Sequence, residues 1–346
     1  MSVTTSVQPY LPAQTIADSH TMYNSYGFGT TLYVDGTNGA DTNNGSSWGN
    51  AFATIQAAVT AAIAGDTILI AAKKIAVGAN DPNSYAESIV IPAATTSLSL
   101  IGVSRGRTQM GLPQINPGGV TTGISLLTIR AGGCYIANIG FNGNSTAGAP
   151  INNGILLDDN NSTKSASGTT IENCHFKNCA GATVGDARTG GAIVWSALGV
   201  GWQVLIKGNR FYKNVCDVCL LGTSTSVPQD VVIENNIFSG AAADVDCNLW
   251  LKGGAGMSYG IVIRNNVFNQ LPALSAGQVK RYIDATGCTG MLVGCTFGCQ
   301  VNVTGGTRMT FDAGGSAAKI PTTVHVADCW AQSIDKDESG MVTIEA

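Results

Sequence analysis

Two carboxylates in the middle of the chain have the spacing of a catalytic pair. Asp217 and Asp246 lie at similar places beside short apolar runs of similar composition. If those runs stack as neighbouring strands, the carboxylates lie about 5 Å apart, as in a retaining glycosidase, and a skipped strand gives ~10 Å, near the inverting case. If the protein is an enzyme, Asp217 and Asp246 are therefore its candidate acid and base.

Further acidic residues are scattered through the same region, so the pair is not distinctive. Solvated turn carboxylates explain this pattern more simply than catalysis does, and we favour that interpretation. A lyase would need a cationic base, for which Arg188 and Lys252 are the available residues, but no lyase motif surrounds either. The remaining acidic candidates are Asp158, Asp159, Asp186, Glu234, Asp244 and Asp284.

Three tryptophans are candidates for binding a glycan, because exposed indole rings combine a large apolar face with a polar edge. Trp195 and Trp250 lie in corresponding apolar runs, and a core position is the favoured interpretation for both. Trp202 lies between glycines, Gly199 and Gly201, and is the more exposed candidate.

No residue pattern calls for a metal or cofactor, and we expect neither. Cys216 and Cys219 have zinc-like spacing but lack a second pair or a histidine at a fitting distance. The turn-rich loop from Asp35 to Gly45 misses the ligand order of a calcium loop. We interpret the cysteines as reduced, packed side chains and the loop as a cluster of turns.

A six-residue phrase ending in an aromatic residue recurs along the chain. The intervals between its phenylalanines are 35, 35, 27, 30 and 29 residues. Constant internal spacing with variable gaps is typical of stacked coils joined by loops of different length, which indicates a solenoid. The phrases are Ile136–Phe141, Ile171–Phe176, Ile206–Phe211, Ile233–Phe238, Ile263–Phe268 and Leu292–Phe297.

Details of the phrase predict its geometry. The asparagines at 138, 173, 235 and 265 should form one corner of each coil, because asparagine tolerates left-handed backbone and its amide can bond to the next coil. Cys174 and Cys295 occupy the place that Asn209, Asn236 and Asn266 take in other phrases, so we expect one column of packed side chains. A second apolar run precedes each phrase, as parallel strands require, and about nine or ten coils would fit the length.

One amphipathic helix precedes the repeats, with Phe52, Ile55, Val59 and Ile63 on one face. Such a helix would cover the open end of the first coil, whose backbone and apolar side chains otherwise meet water.

The run from Tyr33 to Ile70, YVDGTNGADTNNGSSWGNAFATIQAAVTAAIAGDTILI, resembles the entry segment of right-handed parallel β-helix proteins of the pectate-lyase-like superfamily. The resemblance is specific over residues 31–103 and extends to the bacteriophage tailspike and virion-protein type. It implies an all-β fold, a single-stranded right-handed parallel β-helix (solenoid) with an N-terminal capping α-helix. It also implies a homotrimer.

Composition excludes several classes of protein. Charged residues make up only 12% of the chain and the formal charge is −4, so we expect no nucleic acid and no anionic membrane as partner. No stretch approaches the ~18–20 apolar residues of a membrane span. The first twenty residues lack the pattern of a secretory signal, so we expect synthesis in the host cytoplasm and a final location in the virion.

These observations favour a bacteriophage virion structural protein, a spike, fibre or capsid decoration protein that contacts host surface polysaccharide. The alternatives are a tailspike glycosidase or lyase and a non-catalytic carbohydrate-binding module; we expect no enzyme activity. The predicted organisation is an arm over 1–28 that attaches to other virion proteins, an entry segment over 29–66, the β-helix over 67–335 and a closing segment over 336–346.

Overall fold

The structure is a computed structural model, and it describes segments of the chain between residues 29 and 341. The predicted arm, residues 1–28, lies outside the described residues. The described ranges are 29–74, 83–104, 111–118, 124–143, 153–158, 166–179, 190–195, 202–220, 227–241, 247–251, 258–269, 281–298, 318–331 and 340–341.

Short strands follow a single helix along the described chain. Helix α1 spans Ile55–Ala61, after a 3-10 turn at Trp48–Asn50. The strands are β1 (Thr31–Val34), β2 (Thr67–Ala71), β3 (Ser84–Ala86), β4 (Ile89–Ile91), β5 (Ser99–Val103), β6 (Gln114–Asn116), β7 (Ser125–Ile129), β8 (Tyr135–Ala137), β9 (Gly140–Asn142), β10 (Asn153–Leu157), β11 (Thr170–Glu172), β12 (His175–Lys177), β13 (Ile193–Trp195), β14 (Leu205–Lys207), β15 (Arg210–Asn214), β16 (Cys216–Cys219), β17 (Val232–Glu234), β18 (Ile237–Ala241), β19 (Cys247–Trp250), β20 (Ser258–Arg264), β21 (Val267–Asn269), β22 (Arg281–Asp284), β23 (Cys288–Val293), β24 (Thr296–Phe297), β25 (Ala318–Lys319), β26 (Val324–Ala327), β27 (Trp330–Ala331) and β28 (Gly340–Met341).

Three parallel sheets form from these strands. Sheet 1 has ten strands in the order β1-β2-β5-β8-β11-β14-β17-β20-β23-β26, and sheet 2 has eight in the order β25-β22-β19-β16-β13-β10-β7-β4. Sheet 3 has ten strands in the order β28-β27-β24-β21-β18-β15-β12-β9-β6-β3. The chain visits sheets 1, 3 and 2 in turn and returns one strand further along. The predicted right-handed parallel β-helix is confirmed.

The recurring phenylalanines form one column inside the coils. Phe141, Phe176, Phe211, Phe238, Phe268 and Phe297 lie on successive strands of sheet 3 and are buried. Neighbouring ring centroids are 4.8 to 5.1 Å apart, with planes within 7 to 14° of parallel. The centroid spacing matches the distance between strands, so each coil places its ring directly over the previous one.

The predicted asparagine corner separates sheet 1 from sheet 3. Asn138, Asn173, Asn235 and Asn265 have φ between 52 and 56°, the left-handed region that asparagine tolerates. Glycine takes the same place on two other coils, with φ of 66° at Gly208 and 62° at Gly294. The left-handed corner is therefore confirmed.

The side-chain amides that bond between coils are not those of the corner asparagines, as the sequence suggested, but those of the asparagines one position later in the phrase. The backbone N–H of Asn209 donates to Oδ1 of Asn236, and that of Asn236 donates to Oδ1 of Asn266, both at 2.9 Å. The Nδ2 of Asn236 donates to the carbonyl of Ile206 on the previous coil. Each amide thus bonds on both sides, and these three buried asparagines form the asparagine ladder.

Cysteines continue this ladder at its ends, as predicted. The backbone N–H of Cys174 donates to Oδ1 of Asn209, and Cys295 lies beyond Asn266. Both thiols are free and buried, and burial raises the pKa of Cys174 to about 12. These cysteines act as small packed side chains.

Helix α1 packs on β1, β2 and β4 at one end of the coils. Phe52, Ile55 and Val59 are buried, as the apolar pattern predicts. Ile63 was expected on the same face but is 67% exposed, because the helix ends at Ala61 before that residue can return to the buried side.

Acidic side chains satisfy the backbone donors at the start of α1. Oδ1 of Asp41 accepts from the N–H groups of Ala53 and Thr54, and the two oxygens of Glu87 accept from Ile55 and Gln56. The bonds from Ile55 and Gln56 use orphan donors of the first helical turn, so Glu87 caps the helix. Asp41 holds the two residues that precede the helix, which gives this side chain of the turn-rich loop a structural role.

At the other end of the coils the pairing changes direction. Strand β28 runs antiparallel to β27, with Trp330 paired to Met341. A reversed strand cannot template another parallel coil in the same way, so the last described segment closes this edge of sheet 3.

Replacing the central ladder amide tests its contribution to the fold. Asn236→Ala should lower the free energy of unfolding by about 3 kcal/mol, because the backbone N–H of Asn209 and the carbonyl of Ile206 both lose a buried partner. The measurement is equilibrium guanidinium unfolding.

The adjacent asparagine supplies the matched control. Asn235→Gly should change stability by less than ~0.5 kcal/mol, because glycine already takes this corner at Gly208 and Gly294. Equal losses for Asn235→Gly and Asn236→Ala would contradict a specific role for the ladder.

Candidate functional site

Asp217 lies within β16 and is buried. Its neighbour Val218 packs in the main core, and Asp217 itself is 2% exposed. Oδ1 accepts from Nδ2 of Asn214 at 2.9 Å, and Oδ2 accepts from Nδ2 of Asn248 at 2.7 Å. Both carboxyl oxygens are therefore bonded to protein amides.

Burial dominates the protonation of this carboxyl group. It raises the pKa of Asp217 to about 7, although the amides of Asn248 and Asn214 favour the charged form. A carboxyl with this pKa has the acid strength that general acid catalysis uses. A general acid must also reach a substrate atom, and Asp217 is buried. The bonds of Asp217 to Asn214 and Asn248 join neighbouring coils through a buried polar network.

The predicted pairing of Asp217 with Asp246 is not formed by the described strands. Position 217 aligns with Asn248 on the next coil, because Cys216 pairs with Cys247 and Val218 with Leu249. Asp246 lies outside the described residues, so its role stays a prediction.

The other candidate carboxylates in the described part of the chain have partners of their own. Asp158 accepts from Nε of Arg130 at 2.8 Å, and Glu234 accepts from Nε of Arg264 at 2.6 Å. Asp284 is 1% exposed and accepts from the hydroxyl of Thr286. The candidates outside the described residues are Asp159, Asp186, Asp244, Arg188 and Lys252.

Trp195 and Trp250 are both buried, with 6% and 3% of their surface exposed. Trp195 belongs to the main core, whereas Trp250 packs with Val194 and Cys219 in a second, smaller cluster. The register aligns Trp250 with Cys219 and Val194, one position before Trp195, so the two tryptophans are not in phase as the sequence suggested. Neither indole offers solvent the open face that a glycan would stack on.

Trp202 is exposed at the corner between sheets 2 and 1. Its surface is 47% exposed, and its backbone forms a parallel bridge with Gln229 on the next coil. On the previous coil its backbone N–H donates to Oγ of Ser167, and its carbonyl accepts from the N–H of Gly168.

An outer column of charges on sheet 1 was missed by sequence reasoning. Glu172, Lys207, Glu234 and Arg264 take the same position on four successive strands. The signal was present in the recurring phrase, because each of these residues directly follows the isoleucine that opens it. We call these four residues the charge column.

No group of three or more His, Cys, Asp or Glu side chains in the described residues could hold a metal ion. No helix among the residues described is long and apolar enough to cross a bilayer.

The raised pKa of Asp217 predicts how stability depends on pH. The folded state keeps the proton that the unfolded chain loses near pH 4, so the stabilisation is fully present below pH 4 and is lost as pH rises through about 7. The loss is on the order of 4 kcal/mol. Asp217→Asn should flatten the dependence between pH 4 and 7 in urea unfolding, and an unchanged pH slope would contradict the buried acid.

Comparisons with known proteins yield similarity of fold. No protein-family model matches the chain, and no curated protein matches it. Among solved structures, a GH136 lacto-N-biosidase from Eubacterium ramulus is 10% identical over 91% of this chain and 69% of its own, with a TM-score of 0.44. A pectin methylesterase from Aspergillus niger is 12% identical over 91% and 90%, also at 0.44, and the pectate lyase Pel9A is 14% identical over 77% and 79%, at 0.41. The assignment of this chain as a right-handed parallel β-helix rests on its own strand order and register.

Proposed function

We propose that this chain is a structural rod that displays its outer surface to a host glycan, as a spike, fibre or decoration protein of a bacteriophage particle. The observation that carries the proposal is the continuous internal register. Two sheets of ten strands and one of eight share one core, and the phenylalanine column runs through six coils without a break. A closely packed interior resists bending, as a displayed rod must.

The role in a virion goes further than the fold. It is supported by the resemblance of the entry segment from Tyr33 to Ile70 to phage β-helix proteins. Attachment through residues 1–28 belongs to the same proposal. The homotrimer that the resemblance implies stays a prediction, and it competes with a dimer as the state of the protein in solution.

Trp202 is the proposed point of glycan contact. It is the one predicted glycan-binding tryptophan whose ring is open to solvent, at 47% exposure, and small residues lie on the coil beneath it. Sugar rings pack against such apolar faces, while the indole N–H remains available for hydroxyl groups.

Binding without cleavage is the proposed mode, because the candidate acid Asp217 is buried and bonded to two amides. A tailspike glycosidase that uses Asp217 and Asp246 is the alternative, and it predicts loss of glycan chain length instead of retention.

The test is retention of the protein on immobilised bacterial lipopolysaccharides and capsular polysaccharides. Trp202→Ala should weaken retention roughly tenfold, as loss of a central aromatic contact does. Trp330→Ala is the matched control, because Trp330 is 49% exposed on sheet 3 and should retain glycan like the parent.

The same samples distinguish the alternatives. Glycan recovered from the parent protein should show no new reducing ends. New reducing ends that disappear in Asp217→Asn or Asp246→Asn would replace the structural proposal with a glycosidase. Retention that is lost equally in both tryptophan variants would remove Trp202 from the contact.

A further inference from the structure

The outer face of sheet 1 carries two adjacent columns of side chains that the proposed function does not use. One is the charge column, in which acidic and basic residues alternate along four strands. The other is an apolar column two positions earlier along the strands, formed on β14, β17, β20 and β23 by Leu205, Val232, Val262 and Met291. On β11 the same position is Thr170. Both columns face away from the core, because the isoleucines between them point inward.

The apolar column has an exposed end. Met291 is 42% exposed, and the other three side chains are partly exposed. Four apolar side chains on consecutive strands of an outer sheet face form a continuous ridge, which differs from singly scattered surface hydrophobics. A ridge of this kind needs a partner surface of the same length and chemistry.

The charge column already pairs within the chain, yet its cations remain open. Nζ of Lys207 lies 3.9 Å from Oε1 of Glu172, and Arg264 contacts Glu234. The side chains of Lys207 and Arg264 are still 41% and 53% exposed, whereas those of Glu172 and Glu234 are 24% and 11% exposed. The carboxylates therefore lie deeper in the face than the cations. Each cation can therefore meet a second carboxylate from outside the chain.

The charge column is complementary to a second copy of itself that runs in the opposite direction. Read from β11 to β20 the signs are minus, plus, minus, plus, so the reversed column presents plus to minus at every strand. A twofold axis that lies along the strand direction between β14 and β17 performs this reversal. The same axis places each column opposite the corresponding column of the second copy, because it does not change the position of a residue along the strand.

We propose that two copies of this chain associate face to face and antiparallel through the outer surface of sheet 1. Glu172 then meets Arg264 of the second copy, and Lys207 meets Glu234 of the second copy. In the apolar column, Leu205 meets Val232 of the second copy. This interface is isologous, as twofold symmetry requires.

The strands flanking the centre also match. Strand β8 falls opposite β23, which brings Tyr135 to Met291 of the second copy, a favourable pairing of an aromatic ring with a thioether. From β8 to β23 the face spans six strands, about 24 Å at the spacing of parallel strands.

A parallel arrangement of the same two faces fails on charge. It would place Glu172 on Glu172 of the second copy and Lys207 on Lys207, and like charges that face each other at an interface cost several kcal/mol. The alternation of signs therefore selects the antiparallel dimer. This inference does not depend on glycan binding, so each can fail without the other.

Charge reversal with sedimentation velocity on the full chain tests the interface. The parent should be a dimer that dissociates on dilution. Lys207→Glu should raise the dissociation constant by at least about tenfold. At each of the two symmetric contacts it places one acidic group opposite Glu234 of the other copy. Met291→Glu should weaken the dimer as well, and its exposed site keeps the monomer folded.

The double variant separates contacts between copies from contacts within one. In Lys207→Glu with Glu234→Lys, the order along the column becomes minus, minus, plus, plus, which breaks the pairs within the chain and restores those between copies. Its dissociation constant should return to within about threefold of the parent's. Arg130→Glu is the matched control, since its ion pair with Asp158 lies outside this face, and should leave the dimer unchanged.

Three results would overturn the proposal: a parent that is monomeric at all concentrations, a parent that is trimeric, or a double variant that dimerises as poorly as Lys207→Glu. Far-ultraviolet circular dichroism of every variant confirms that the coils are intact, so that dissociation is not confused with unfolding.

Discussion

The vertical register between coils is the constraint on which the rest of this structure depends. A buried amide such as Asn236 is tolerated only if the coils on both sides supply its partners, since an unpaired polar group in the core costs more than the bond itself contributes. A phenylalanine such as Phe211 stacks well only when the neighbouring rings sit at the same height and angle. A slip of one residue would break both columns at once, so the register is strongly specified.

Polar groups inside the coil therefore serve the fold, and Asp217 shows the consequence for function. Its carboxyl bonds to Asn214 on its own coil and to Asn248 on the next, which is the kind of bridge that the ladder also builds. A raised pKa is often a sign of a catalytic group, but here burial accounts for it, against the opposing effect of the two amides. Recognition has to come from the outer positions and corners, where Trp202 lies.

The sequence predicted those features that repeat and missed those that depend on a single register. The aromatic column and the left-handed corner at Asn138 and its equivalents were predictable, because many coils repeat the same residue at the same place. The alignment of Trp250 was not predictable. The apolar pattern suggests that Trp250 aligns with Trp195, but the strand register aligns it with Val194, one position earlier. With a period of two, that offset moves a side chain to the opposite face of the sheet.

The register that stacks identical residues inside the coil would also stack identical charges on its outer face. Stacked phenylalanines or asparagines attract, whereas charges of one sign repeated about 5 Å apart along an outer column repel. The chain resolves this by alternating Glu172, Lys207, Glu234 and Arg264, so that each charge has an opposite neighbour. A column with an even number of alternating charges is complementary to a second copy of the same column that runs in the opposite direction. A solenoid that removes repulsion within one chain in this way thereby acquires a face that fits a second, antiparallel copy, and the exposed apolar column beside it gives that fit an energetic basis.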